Sequence, residues 1–215
     1  MMKNNSLICS VAIITTILLC SCTKAEEQFC RSFVNGYMIC DGLTVGYVSE
    51  YSIHIKATAS KMVSLYSTGT DKELYDNICQ ENNDMTFNDI ILFYPPEIPY
   101  YICYYPNFTS IDVISDRDFN AEHPAGTSLN DIIRVYYNSV YDYVSSEYTQ
   151  DEEIKTKKAM LSNLTAEDLQ MVTDYGFDLT FGIDPLKKEK HNLTITFTDI
   201  QGKKYHTNVV YDFTL

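Results

Sequence analysis

The chain has 215 residues, with 16 basic and 29 acidic side chains, a net charge of −13, 18 tyrosines and no tryptophan. No basic stripe interrupts that acidity, which excludes the phosphate-neutralising face that a nucleic-acid partner requires. The length suits one domain with a full-sized core rather than two.

Taken in chain order, Lys3 precedes an apolar run from Leu7 to Leu19 broken only by Ser10, Thr15 and Thr16. A cationic start, roughly 7–15 apolar residues and then small residues form a secretory signal. The run is shorter than the about 20 residues a spanning helix needs. Leu19-Cys20-Ser21-Cys22 resembles the lipobox of bacterial lipoproteins. That resemblance implies removal of residues 1–21, Cys9 and Cys20 among them, and diacylglycerol attachment to the sulfur of Cys22. A plain secretory signal that leaves Cys22 as a free thiol is the competing reading. The processed chain keeps 15 basic and 29 acidic residues, a net charge of −14. Acyl chains contribute about 0.8 kcal/mol per buried methylene, so two or three hold a protein at a membrane without crossing it. Residues 22–29 read as a polar tether and residues 30–215 as a single β-rich domain. In lipoproteins of the Bacteroidales type an acidic cluster after the lipidated cysteine resembles a surface-display signal. Glu26 and Glu27 fit that pattern and fit a solvated linker equally well. The expected location is the outer membrane, lipid-anchored, on its periplasmic or cell-surface face.

Leu43, Val45 and Tyr47 alternate with Thr44, Gly46 and Val48, and Ile53 and Ile55 flank His54, which predicts one or two strands over 43–57. Residues 61–66 suit another strand. Residues 67–84 are rich in turn formers and charge, with a helical turn at 72–78. The apolar run 87–94 ends at Pro95-Pro96, and the stretch between Pro99 and Pro106 has strand length. "SIDVIS" at 110–115 alternates again, and His123 to Gly126 is a turn.

Residues 128–144 send conflicting signals. Ile133, Tyr136, Tyr137, Val140, Tyr141 and Val144 recur at helical spacing behind a capping-box-like start at Ser128–Asp131, which favours a helix. The β-branched and aromatic residues themselves favour a strand. Residues 151–171 read as helix or loop, with a helix start at Thr165–Asp168. Residues 177–181 suit a strand, and "NLTITFTDIQGKKYHTNVVYDF" predicts a hairpin turning near Gly202. Seven or more short strands point to a mainly β fold, a two-sheet immunoglobulin-like sandwich with small helices in the connections, with α+β as the alternative.

Four further cysteines, Cys30, Cys40, Cys79 and Cys103, are an even set in an exported chain and predict two disulfides. The local pairing, Cys30 with Cys40 and Cys79 with Cys103, is favoured over its alternatives. Their spacings match no zinc site. Asp116, Asp118 and Asn120 start like a calcium loop, but Ala121 and Thr127 stand where that loop needs glycine and glutamate. No metal and no cofactor is expected. His54, His123, His191 and His206 form no helical zinc-hydrolase motif, and no nucleophile elbow or phosphate-cradling loop is present. The sequence therefore names no catalytic residue. Tyr94, Tyr100, Tyr101, Tyr104 and Tyr105 cluster among prolines and are the candidate binding residues, since tyrosine combines an apolar face with a polar tip. Filling a sandwich core is their other use.

The lipobox, together with "SIDVISDRDFNAEHPAGTSLNDII" and the terminal strand pair, resembles a family of uncharacterised Bacteroidales-type lipoproteins, a domain of unknown function, over residues 17–29 and roughly 110–215. The resemblance implies a compartment and carries over no functional residue. The function expected is a non-enzymatic binding module on a membrane-anchored envelope lipoprotein, with a protein or glycan as ligand. The alternatives are a carbohydrate-active or other hydrolase, and a fimbria-type structural subunit.

Overall fold

A computed structural model describes residues 26–50, 52–93 and 101–214, with side chains over 29–50, 52–89 and 101–214. The elements in order are β1 (Glu26–Cys30), β2 (Gly36–Val48), β3 (Ile53–Ser64), α1 (Thr70–Glu81), β4 (Asp89–Phe93), β5 (Ile102–Tyr105), β6 (Phe108–Ser115), β7 (Ile133–Ser139), α2 (Tyr141–Ser145), β8 (Lys155–Met160), β9 (Val172–Phe181), β10 (Lys190–Asp199) and β11 (Lys204–Asp212). The protein is mainly β, with two packed sheets and small helices in the connections, as the alternating patterns predict.

The larger sheet has the order β3-β2-β5-β9-β7-β8, and the smaller β11-β10-β6. Strands β2 and β5 are parallel, and the other pairings are antiparallel. The start of β3 also pairs with β9, Ile53 opposite Leu179, so β3, β2, β5 and β9 close a circuit of ladders. β1 and β4 form a separate antiparallel pair.

The predicted terminal hairpin is β10–β11. His191, Leu193, Ile195 and Phe197 are buried at alternate positions, and Asp199 Oδ1 closes the turn by accepting from Gln201 N and Lys203 N, each at 2.9 Å. Between the sheets, Phe197 meets Phe108 edge-on at 5.1 Å and Phe177 at 4.9 Å. Each such ring contributes about 1.5–3 kcal/mol by leaving water, and an edge-on pair adds about 0.5–1.5 kcal/mol. Tyr205 and Tyr211 donate from β11 to Cys40 O (3.3 Å) and Glu50 O (2.8 Å), stitching the small sheet to the large one.

A second cluster lies on the opposite face of the large sheet, beneath α1 and α2. Alternation on β2 and β5 separates the two: Cys40 and Tyr104 enter the sandwich core, while Tyr37 and Cys103 join Phe33, Val63, Ile78, Cys79, Val140 and Val144 in the second cluster. Asp84, fully buried, fastens this layer. It accepts from Phe33 N at 2.7 Å, Val34 N at 2.9 Å and Tyr148 Oη at 2.9 Å. Those bonds hold an anion that burial disfavours, and desolvation still raises its pKa.

Five expectations need correction. Lys155–Met160, inside the stretch read as helix or loop, form strand β8, which pairs with β7 along the sheet edge. Cys40, Cys79 and Cys103 are free, buried thiols, so neither expected pairing forms, and Cys30 is buried as well. The sheet stands between Cys40 and the second-cluster pair Cys79 and Cys103, and these three fill space as small apolar groups. Residues 133–139 form strand β7 rather than a helix. Ile133, Val135 and Tyr137 face the sandwich core, and the chain then turns into α2 so that Val140 and Val144 reach the second cluster. Two short periods laid end to end imitate one helical period. The Thr165–Asp168 box forms, with Thr165 N and Oγ1 donating to Asp168 Oδ2 at 3.0 and 2.7 Å, but it closes a turn rather than starting a helix. Residues 26–29, read as tether, belong to β1, where pairing with β4 satisfies their backbone. Residues 1–21, Cys22, Tyr94 and Tyr100 lie outside the described residues.

Candidate functional site

Helices and loops cover only part of the outer face of the large sheet. Over the rest, the ladder register fixes which side chains meet. Tyr47 of β2 lies opposite His54 of β3, His54 opposite Asp178 of β9, Asp178 opposite Tyr136 of β7, and Tyr136 opposite Lys158 of β8. Directly opposed residues share a face and touch. The result is one polar and aromatic row across five strands, Tyr47–His54–Asp178–Tyr136–Lys158. Lys56 and Arg134 stand exposed on the neighbouring rows of the same face.

Two glycines make room for the row. Gly176 has φ +94°, and a Cβ there would come within 2.5 Å of Ile55 O and 3.2 Å of His54 Nε2. A Cβ on Gly46 would lie 2.7 Å from His54 Cδ2. Both positions accompany ladder irregularities, one at Val45/Tyr47 in β2 and one where β9 inserts extra residues opposite Asn138. Such bulges re-aim side chains.

The imidazole in that space is held by two groups that are themselves linked. His54 Nδ1 sits 2.8 Å from Asp178 Oδ1, and the Tyr47 ring lies parallel to it, 4.8 Å between centroids at 1°. Tyr47 Oη donates to the same Oδ1 at 2.9 Å. That bond to a carboxylate raises the phenol's pKa, so Tyr47 stays a donor at neutral pH. One face of the Tyr47 ring rests on His54, and the residue is still 52% exposed. Among the described residues, Asp178 Oδ2, His54 Nε2 and the Tyr136 hydroxyl take part in no hydrogen bond with protein. Lys56, Arg134 and Lys158 carry no ion pair there either, whereas Lys61, Lys72, Arg117, Lys155 and Lys157 are all paired.

The remaining groups are committed to structure. Tyr104 is buried in the sandwich core and donates to Asp174 O at 3.1 Å. Tyr101 and Tyr105 lie on the other face, where Tyr101 stacks on Phe33 at 4.2 Å and donates to Glu153, and Tyr105 donates to Glu81 at 3.0 Å. The candidate tyrosines within the described residues are thus divided between two clusters and form no shared platform. His123 closes its loop between Asn120 and Asp131, at 2.9 and 2.8 Å. His191 is fully buried, 2.8 Å from Ser115 Oγ and edge-on to Phe213, and its desolvated ring has a lowered pKa. His206 bonds Thr196 on the exposed side of the hairpin. In the acidic loop, Asp116 and Asp118 accept from Asn192 N and Ala125 N, each at 2.8 Å, beside an open cleft of about 630 Å³. No three His, Cys, Asp or Glu side chains converge on a metal position among the described residues.

Comparison with protein-family models, curated proteins and solved structures finds no match to this chain. The row itself was half visible in the sequence. His54 stands between two core isoleucines, so its side chain faces outward, whereas Asp178 is 124 positions away and no local pattern joins them.

Proposed function

We propose that this chain is a lipid-anchored protein of the cell envelope, tethered through Cys22 at the outer membrane, whose β-rich domain is a non-enzymatic binding module. The lipobox resemblance supports the anchor, and the family resemblance supports the compartment. No helix among the described residues is long and apolar enough to cross a membrane. The observation that carries the binding reading is the row Tyr47–His54–Asp178–Tyr136–Lys158, a braced set of donors, acceptors and ring faces with exposed Tyr47 and Lys158 at its ends and a half-buried His54 within it. A hydrolase is the second reading. It draws on His54, whose Nδ1 on a carboxylate has the geometry of a general base. Hydrolysis would also need an activated nucleophile, and among the described residues no hydroxyl or thiol bonds Nε2. The buried carboxylates Asp84 and Asp199 are separately occupied by backbone N–H groups. A fimbria-type subunit needs an edge open to strand exchange. Segment 126–130 covers the edge of β6, and β8 carries Lys155, Lys157 and Lys158, which discourage pairing.

The anchor is tested by replacing Cys22 with alanine and fractionating cells. The protein should move from the membrane to the soluble fraction and lose metabolic labelling with palmitate. An unchanged distribution would remove the anchor from the proposal.

A further inference from the structure

We infer that the open face of the large sheet is a binding site for acidic oligosaccharides, with Tyr47 as the stacking platform and Lys56, Arg134 and Lys158 as the groups that select negative charge. The inference rests on the binding-module reading and specifies its ligand. Sugar rings present an apolar C–H face and a rim of hydroxyls. Tyr47 supplies the matching surface, because its ring is immobilised by His54 beneath and by Asp178 at the hydroxyl, so little side-chain entropy remains to be lost on binding. The rim meets Asp178 Oδ2 as acceptor, His54 Nε2 and the Tyr136 hydroxyl, all unoccupied by protein. With strands about 4.8 Å apart, the row from Tyr47 to Lys158 is roughly 19 Å long, which fits several sugar units better than one.

Charge decides the class. Two carboxylates, Asp174 and Asp178, face this surface, and Asp178 Oδ1 already accepts from Tyr47 and lies against His54 Nδ1. Against them stand Lys56, Arg134 and Lys158, none at ion-pair distance from a carboxylate among the described residues although Lys56 attracts Asp174 from farther off, in a chain whose net charge is −13. An anionic ligand repelled by the rest of the molecule is therefore attracted here. A peptide fits less well. Within the row, β3, β9 and β7 are each paired on both edges, which leaves main-chain recognition only to the outer strands, and on β8 the lysines discourage pairing.

The test uses the full-length chain on an array of oligosaccharides bearing uronate, sialate or sulfate, beside their neutral counterparts and poly-glutamate, at low and at physiological salt. At least one acidic glycan should bind at least tenfold more tightly than its neutral form, with the advantage shrinking as salt rises. Tyr47→Ala should weaken that binding at least tenfold. The triple variant Lys56→Ala, Arg134→Ala, Lys158→Ala should abolish the preference for acid while keeping residual binding. Equal, Tyr47-dependent binding of acidic and neutral glycans would overturn the charge selection and leave the binding module standing. Poly-glutamate binding without glycan binding would overturn the ligand class in favour of an acidic peptide. Binding of nothing on the array, or binding indifferent to both variants, would overturn the inference and the assignment of this face together. The altered side chains lie on the outer face, and thermal melts verify that each variant is folded.

Discussion

The outer face of the large sheet has two halves built from the same strands and put to opposite uses. Near the start of β2 and the end of β3, outward positions hold Tyr37 and Val63, joined by Cys103 of β5, and α1, α2 and the Asp84-fastened segment cover them. Near the end of β2 and the start of β3, the outward positions hold Tyr47, His54 and Lys56; Tyr47 and Lys56 are exposed, and His54 lies beneath the Tyr47 ring. Ladder irregularities around Cys40 and at Val45/Tyr47 separate the halves on β2 and change which residues point outward. The lesson is that a covering layer is specified by a few apolar side chains and one buried carboxylate. Where they are missing, the same backbone presents chemistry instead.

The largest effect should come from opening the covered half. Phe33 is 1% exposed and stacks on Tyr101, with Phe87 and Tyr143 against it. Phe33→Ala should cost about 3–5 kcal/mol in chemical denaturation through lost burial and the cavity left behind.

The thiols sharpen the comparison by a different measurement. Burial lifts Cys79 from an ordinary 9.0 to about 11 and Cys40 to about 12, and lifts Cys103 as well. Two units leave about 100-fold less Cys79 thiolate at neutral pH, so iodoacetamide should label these residues only after unfolding. A group whose folded pKa is raised favours the fold below its unfolded value. Stability should therefore fall as pH climbs from 9.0 through about 11, where unfolded thiols ionise first. Rapid labelling of Cys79 or Cys103 in the native protein, located by mass spectrometry, would contradict the covered half as described.

A smaller effect belongs to the seam of the open half. Gly176→Ala puts a Cβ against Ile55 O at a positive φ and should cost about 1–3 kcal/mol. It should also shift the His54 ring resonances, a change that a purely remote destabilisation would not produce. The smallest effect is expected on the face itself. Single alanines at Lys56, Arg134 or Lys158 should leave the melting free energy within about 0.5 kcal/mol, since all three are exposed and none is at ion-pair distance from a carboxylate among the described residues.

Strands whose partners lie on one face were readable from sequence. The terminal hairpin, β3 from Ile53 and β6 through Ile111 and Val113 each alternate cleanly because one side meets the sandwich core. The stretch Ile133–Val144 was not readable, since its first residues serve one cluster and Val140 and Val144 serve the other. Strand β8 was hidden because an edge strand of lysines buries too little to alternate. Cysteine counting failed for a related reason: parity of number says nothing about which side of a sheet each thiol occupies. The row of the open face depends on register between strands 124 residues apart and on two bulges, and no local pattern encodes either.

The circuit in which β3 pairs with β2, β2 with β5, β5 with β9 and β9 again with β3 has a kinetic consequence. Its last joint brings Ile53 to Leu179, so no partial chain can complete it. Non-local closure of this kind belongs to the slow regime of roughly milliseconds to seconds, because loop entropy is lost before the contacts that offset it form. A nascent chain therefore stays open at this joint until nearly all of it has been made.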